Sequence, residues 1–349
     1  MDTKILKTAE LPLREIVDEA AAVFAGGGLV AFPTETVYGL GGNGLSAESS
    51  AKIYAAKGRP SDNPLILHIG RIEQLPPLVT EIPEAAEKLM KAFWPGPLTI
   101  IFKKSPLVPD KTSGGLSTVA VRMPVHPVAQ AMLLRTELPI AAPSANLSGR
   151  PSTTKASHVI EDLFGRVELI IDDGEVPIGM ESTIIDVTEE KPVLLRYGYI
   201  TVPMIEEVIG EIRIDPAIRR ENIISHTVSV EHPKAPGMKY RHYAPKAPLA
   251  IVSGTEEKII STIRKKAGKS TGILTFDEHL PYFTEGVPVS LGSIKDPSMI
   301  AHNLFSALRS FDSLPVTEIL AEDLTAHDIG GASMNRLLKA AGGTVIAAE

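Results

Sequence analysis

The feature that most constrains this chain is the alternation of short apolar runs with helical stretches along 349 residues, interrupted once by a proline-punctuated segment. The spacing predicts strands over 28–32, 65–69, 98–102, 118–122, 139–142, 169–171, 182–187 and 193–196. Helices are expected over 47–57, 83–93, 127–134 and 202–209, with Ser46 as a cap and Pro83 and Pro127 in first turns. From 214 to 248 no clear period survives, and Glu231-His232-Pro233-Lys234-Ala235-Pro236-Gly237 reads as a linker. Strands return at 249–252, 272–275 and 318–321, with helices over 256–266 and 297–311, the pattern of a small open parallel sheet. The expectation is mixed α/β, with one domain over 1–213, a linker over 214–247 and a smaller domain over 248–349.

Composition removes several chemistries. The chain has no cysteine, which excludes disulfides, thiolate metal sites and thiol nucleophiles, and 44% apolar residues supply two cores. No apolar run approaches the roughly 20 residues of a membrane span, and Met1-Asp2-Thr3-Lys4 lacks the apolar region of a signal peptide, so a cytoplasmic location without membrane attachment is expected. A net charge of −7 argues against a protein whose main task is to grip nucleic acid. Locally the balance differs: residues 51–150 carry twelve Lys/Arg against seven Asp/Glu, and residues 151–200 carry four against ten. A small anion would prefer the first stretch.

Two nucleotide-binding patterns are decoys. Gly39-Leu40-Gly41-Gly42-Asn43-Gly44 satisfies GxGxxG, but six residues separate it from the preceding strand; Gly268-Lys269-Ser270 imitates a P-loop end, but Ile263 stands where that loop needs glycine. The sequon Asn146-Leu147-Ser148 is void in a cytoplasmic protein, and serine-hydrolase elbows and HExxH are absent. More telling is Lys57-Gly58-Arg59-Pro60-Ser61-Asp62-Asn63-Pro64, where two cations flank a glycine and could neutralise a triphosphate. Alone, a solvated helix C-terminus explains them better. Pro143-Ser144-Ala145-Asn146, Pro33-Thr34-Glu35-Thr36 and Gly179-Met180-Glu181-Ser182-Thr183 gather polar groups at strand ends, where open α/β sheets bind ligands, although a capped turn explains each singly.

Taken in order, PTETVYGLG, KGRP with NPLILHI, WPGPLT, TVAVRMP, PSANLSG, and MESTIIDV with LRYG resemble the YrdC/YwlC family of threonylcarbamoyl-AMP synthases over roughly residues 10–210. The later Pro236-Gly237-Met238-Lys239-Tyr240-Arg241-His242-Tyr243-Ala244-Pro245 and the residues after it resemble the long, two-domain form. Tyr197 departs from the pattern, which has proline there. The resemblance implies a twisted mixed-sheet domain with a large concave cavity, plus a smaller Rossmann-like C-terminal domain. It implies a nucleotidyltransferase that joins L-threonine, bicarbonate and ATP into threonylcarbamoyl-adenylate, with pyrophosphate released and Mg2+ accompanying ATP. A downstream tRNA threonylcarbamoyltransferase would receive the product.

Carried over by position, the resemblance makes Lys57 and Arg59 the catalytic phosphate contacts. Asn63, Thr118, Ser144, Asn146, Ser152, Arg196 and His242 become further ATP contacts, and Thr36, His68, Arg122 and Ser182 hold threonine. No metal ligands are assigned. Without the family, His68 reads as a core histidine and Thr118 as a strand residue. Rival readings are a double-stranded RNA or tRNA binding protein, here expected to bind RNA weakly at most, and a carbamoyltransferase of the hydrogenase-maturation type, whose cysteine modules this chain lacks. The segment 236–245 reads either as a lid over the nucleotide or as a spacer whose rings pack between the domains.

Overall fold

The computed structural model describes residues 2–227, 233–236 and 242–349. Eleven strands form the first sheet: β1 (Lys4–Lys7), β2 (Val30–Phe32), β3 (Gly39–Asn43), β4 (Ile66–His68), β5 (Leu98–Lys103), β6 (Thr118–Arg122), β7 (Ile140–Ala141), β8 (Leu169–Asp172), β9 (Thr183–Asp186), β10 (Val193–Arg196) and β11 (Arg213–Ile214). Their order is β1-β8-β2-β3-β7-β4-β6-β5-β9-β10-β11, with parallel and antiparallel pairs mixed. The mixed twisted sheet is the expected architecture.

Period-two alternation divides the sheet into two faces. Leu67, Ile100, Phe102, Val119, Val121, Ile185 and Leu194 belong to the main core. Ile66, Ile101, Ala120 and Ile184 point the other way. One end of that second face is covered by helices Leu13–Ala25 and Pro127–Thr136, which pack on Val30, Phe32 and Ile140. Ile66, His68 and Arg122 on the rest of the face line the cavity described below, while Ile101, Ala120 and Ile184 pack with Ala235.

Helix Ala47–Lys57 begins where Ser46 accepts from the Ser49 amide at 3.1 Å and ends at Gly58, whose φ of 61° is the left-handed conformation that glycine tolerates. That stop places Lys57 in the last turn. The GxGxxG decoy is strand β3, and a side chain at Gly41 would come within 2.8 Å of Ile140 and Phe32, so the glycine serves close packing.

The second sheet contains β12 (Leu249–Ser253), β13 (Thr271–Thr275), β14 (Val287–Ser290), β15 (Glu318–Glu322) and β16 (Val345–Ala347), in the order β14-β13-β15-β12-β16. Every pair is parallel. Ile251, Leu274 and Ile319 face helices Pro297–Ser310 and Ala332–Ala340, whereas Val252, Ile273 and Leu320 face helix Glu256–Lys266. Helices on both faces make it Rossmann-like. The stretch after 214, read as aperiodic, carries the helix Arg220–Ser225, too short to show a period, and its Arg220 pairs with Asp323 at 2.7 Å. Two buried arginines join the domains: Arg309 to Asp162 at 2.7 Å and Arg336 to Glu181 at 3.0 Å.

Candidate active site

Ten of the anticipated residues line one cavity: Thr36, Lys57, Arg59, His68, Arg122, Ser144, Asn146, Ser182, Arg196 and His242. Asn63, Thr118 and Ser152 do not line it. Asn63 is buried beside it, its carbonyl accepting from Arg59 Nε at 3.2 Å. Thr118 lies at the start of β6 opposite Lys103. Ser152 is fully buried and donates to Glu181 at 2.5 Å.

Lys57 is not the solvated residue its position at a helix end suggested. It is 2% exposed, and its ammonium donates to the carbonyls of Ser144 and Asn146. Burial, followed by the neighbouring Arg59, holds its pKa well below the usual lysine range. Arg59 Nη2 donates to the Pro64 carbonyl at 3.1 Å. Each of the two side chains thus donates to neutral carbonyl acceptors, which orient it.

Register explains the opposite wall. β4 and β6 run parallel with His68 beside Arg122, and β5 runs antiparallel with Thr99 beside Arg122. Ser182, just before β9, reaches the Thr99 hydroxyl at 2.7 Å. Arg122 Nη1 donates to Thr36 at 2.8 Å, and its Nη2 lies 2.6 Å from Glu35, an ion-pair distance without hydrogen-bond alignment. Burial and then Arg122 push the His68 pKa down to about 3, so the ring is neutral near pH 7.

Arg196 reaches the cavity through a bulge. Leu194 pairs with Ile185 but Arg196 pairs with Ile184, so one extra residue in β10 turns Arg196 to the face that Ile184 occupies. There it donates to the Ser182 carbonyl at 2.9 Å and hydroxyl at 3.0 Å. Burial lowers its pKa to about 10.

Gly237, Met238, Lys239, Tyr240 and Arg241 of the lid-or-spacer segment lie outside the described residues. Its end is described: Pro236, His242 and Tyr243 line the cavity, and the Ala244 amide donates to the Gly149 carbonyl at 2.9 Å. Burial and then Arg59 lower the His242 pKa to about 3. The Tyr243 ring stacks 5.1 Å from Phe305 of the second domain.

Sequence reasoning left Glu181 and Tyr243 out of the site. Burial alone would raise the Glu181 pKa, but Arg336 and Arg196 outweigh it and hold it below the usual range. Among the described residues the cavity lining has four Lys/Arg side chains, Lys57, Arg59, Arg122 and Arg196, against one carboxylate. Such a lining suits a polyanion together with a small ligand that has a carboxylate and a hydroxyl.

The Sua5/YciO/YrdC family model, described as telomere recombination, matches residues 22–198. The chain belongs to that family. A second model, the C-terminal domain of threonylcarbamoyl-AMP synthase, matches residues 200–342. The threonylcarbamoyl-AMP synthase of Pyrococcus abyssi is 49% identical, with 97% of this chain and 99% of the relative covered. The Bacillus subtilis threonylcarbamoyl-AMP synthase is 48% identical, covering 95% and 94%. The structure of Pyrococcus abyssi Sua5 complexed with L-threonine superposes with a TM-score of 0.91 at 47% identity, covering 99% of this Sua5-family chain and all of that one.

Proposed function

We propose that this chain is an L-threonylcarbamoyladenylate synthase, which joins L-threonine, bicarbonate and ATP into threonylcarbamoyl-AMP with release of pyrophosphate and water. The observation that carries the reading is the cavity, where Lys57 and Arg59 donate to neutral carbonyls and Glu181, the one lining carboxylate among the described residues, pairs with Arg336 from outside. A relative with nearly half its residues identical over the full length has been solved with L-threonine.

Adenylation requires no covalent nucleophile. It requires a carbamate oxygen held against the α-phosphorus and positive charge where pyrophosphate departs. We assign Lys57 and Arg59 to the second task and Arg196, Ser144 and Asn146, which line the cavity, to the nucleotide; Ser152, Asn63 and Thr118 do not line the cavity and would act from outside its lining. His242 is neutral and offers a hydrogen bond to the nucleotide. Thr36, His68, Arg122 and Ser182 hold threonine, and the planar guanidinium of Arg122, which lines the cavity, is chemically suited to its carboxylate. Mg2+ enters as the ATP complex, with the phosphates supplying most of its ligands; among the described residues no group of three or more His, Asp or Glu side chains is placed to hold a metal.

Among the described residues no helix is long and apolar enough to cross a membrane. A cytoplasmic location and hand-over of the product to a tRNA threonylcarbamoyltransferase are part of the proposal. Incubation with Mg-ATP, bicarbonate and amino acids one at a time, read as pyrophosphate release, tests the assignment. Threonine supports rapid release, serine weak release and valine less, because a methyl contributes only about 1 to 3 kcal/mol whereas a bound hydroxyl discriminates more strongly. Release independent of the amino acid supplied contradicts the assignment.

A further inference from the structure

Glu181 presents an electrostatic problem. It lines a cavity otherwise furnished with cations, it is 5% exposed, and a carboxylate there repels phosphate and competes for Arg196. Its partner comes from the other domain. Arg336, in helix Ala332–Ala340, is the largest fully buried side chain described, and its Nε donates to Glu181 Oε2 at 3.0 Å. Its Nη2 donates to the Tyr197 carbonyl at 2.7 Å, and its guanidinium lies 5.7 Å from the Tyr243 ring centre. The other carboxylate oxygen accepts from Ser152 at 2.5 Å. With Glu181 so occupied, Arg196 directs its donors to Ser182.

We propose that Arg336 is a positioning residue for the nucleotide site: by neutralising Glu181 it keeps Arg196 available to phosphate and holds Ser152, so that the second domain completes the anion site of the first. The proposal rests on the ATP reading given above. A second contact supports it independently. Arg309 donates twice to the Pro151 carbonyl, at 3.0 and 2.7 Å, and pairs with Asp162, which accepts from the Leu147 amide at 2.9 Å. The loop through Ser144, Asn146 and Ser152 is thus held by arginines of the second domain at Pro151, at Ser152 through Glu181 and at Leu147 through Asp162.

Charge distinguishes this role from that of a simple bolt between domains. ATP and threonine KM and kcat are measured for wild type, Arg336→Met, Glu181→Gln and the double variant, with melting curves for each. Exposing an unpaired carboxylate to the phosphates is expected to raise the ATP KM of Arg336→Met about tenfold or more, and threonine KM much less. Adding Glu181→Gln removes the offending charge and restores most of the ATP affinity, even though the bolt is still missing. If the double variant binds ATP no better than Arg336→Met, the proposal is overturned. Should Arg336→Met fail to fold, Arg336→Gln, which retains a donor but no charge, gives the same comparison with the same readings. Wild-type enzyme without threonine-dependent pyrophosphate release would instead defeat the functional reading itself.

Discussion

The two sheets both gather polar side chains at strand ends, and they treat charge in opposite ways. In the second domain, Asp323 accepts from Arg220 at 2.7 Å, Ser253 at 2.6 Å and the Thr325 amide at 2.9 Å, while Glu322 pairs with His279 at 2.8 Å and takes the Thr275 hydroxyl. Burial raises the Asp323 pKa, but these donors outweigh it and hold it at about 2. In the first domain, Lys57 donates to the carbonyls of Ser144 and Asn146, and Arg59 donates to those of Asn63 and Pro64, so neutral acceptors orient both side chains. The buried lysine of the first cluster is oriented by neutral carbonyls, whereas Arg220 of the second is matched by a carboxylate that acts as a structural fastening.

Replacing the least compensated cation gives the largest effect. Lys57→Ala is expected to slow pyrophosphate release about a hundredfold, roughly 3 kcal/mol, with Arg59→Lys damaging but less so. Because two buried carbonyls lose their donor, melting also shifts, by about 1 kcal/mol in stability. A near wild-type rate for Lys57→Ala would remove the distinction between the domains.

Acid titration separates the same two regions. His68 and His242, each held at about 3, stay neutral when folded but protonate near 6.5 when unfolded. Their folded pKa values are depressed, so the stability they contribute is present above 6.5 and lost as pH falls toward 3. Between pH 6.5 and 5 each ring accounts for about 2 kcal/mol of that loss. Asp323, held at about 2, contributes stability that is lost only as pH falls from its usual 3.8 toward 2. Denaturant unfolding of His68→Gln from pH 7 to 5 should therefore show a flatter acid limb than wild type; an unchanged limb counts against a neutral His68.

Asp323→Asn is the mirror of Lys57→Ala. It should cost about 1 to 2 kcal/mol of stability by chemical denaturation and leave kcat and both KM values within about twofold. A kinetic collapse would mean that the second cluster also serves the ligand. The smallest effect is expected from Ser182→Ala, with threonine KM raised roughly fivefold, about 1 kcal/mol, and ATP KM less. Because Ser182 also receives Arg196, equal rises would assign its hydroxyl to supporting that arginine.

Much of this was legible in the sequence, because strands β6 and β10 and the helices Ala47–Lys57 and Glu256–Lys266 follow hydrophobic period and capping. Strand β3 was not, since a run of glycines has no strand propensity and is held by pairing on both edges. The family pattern named Arg196, but nothing local reveals that a bulge re-aims it. Arg336 was invisible for a different reason: its partner is 155 residues away, and the sequence reading had no helix over 332–340, where the structure has one. Reading Lys57 as a solvated helix end failed because the carbonyls that bury it come from a distant loop.

The most direct test of the contrast is amide hydrogen exchange with and without Mg-ATP and L-threonine together. The account predicts ligand protection at 34–39, 57–68, 118–122, 143–152 and 181–196, with the strand ends at 253–256, 275–279 and 322–327 unchanged. Protection confined to the second set, or absent from the first, would contradict it.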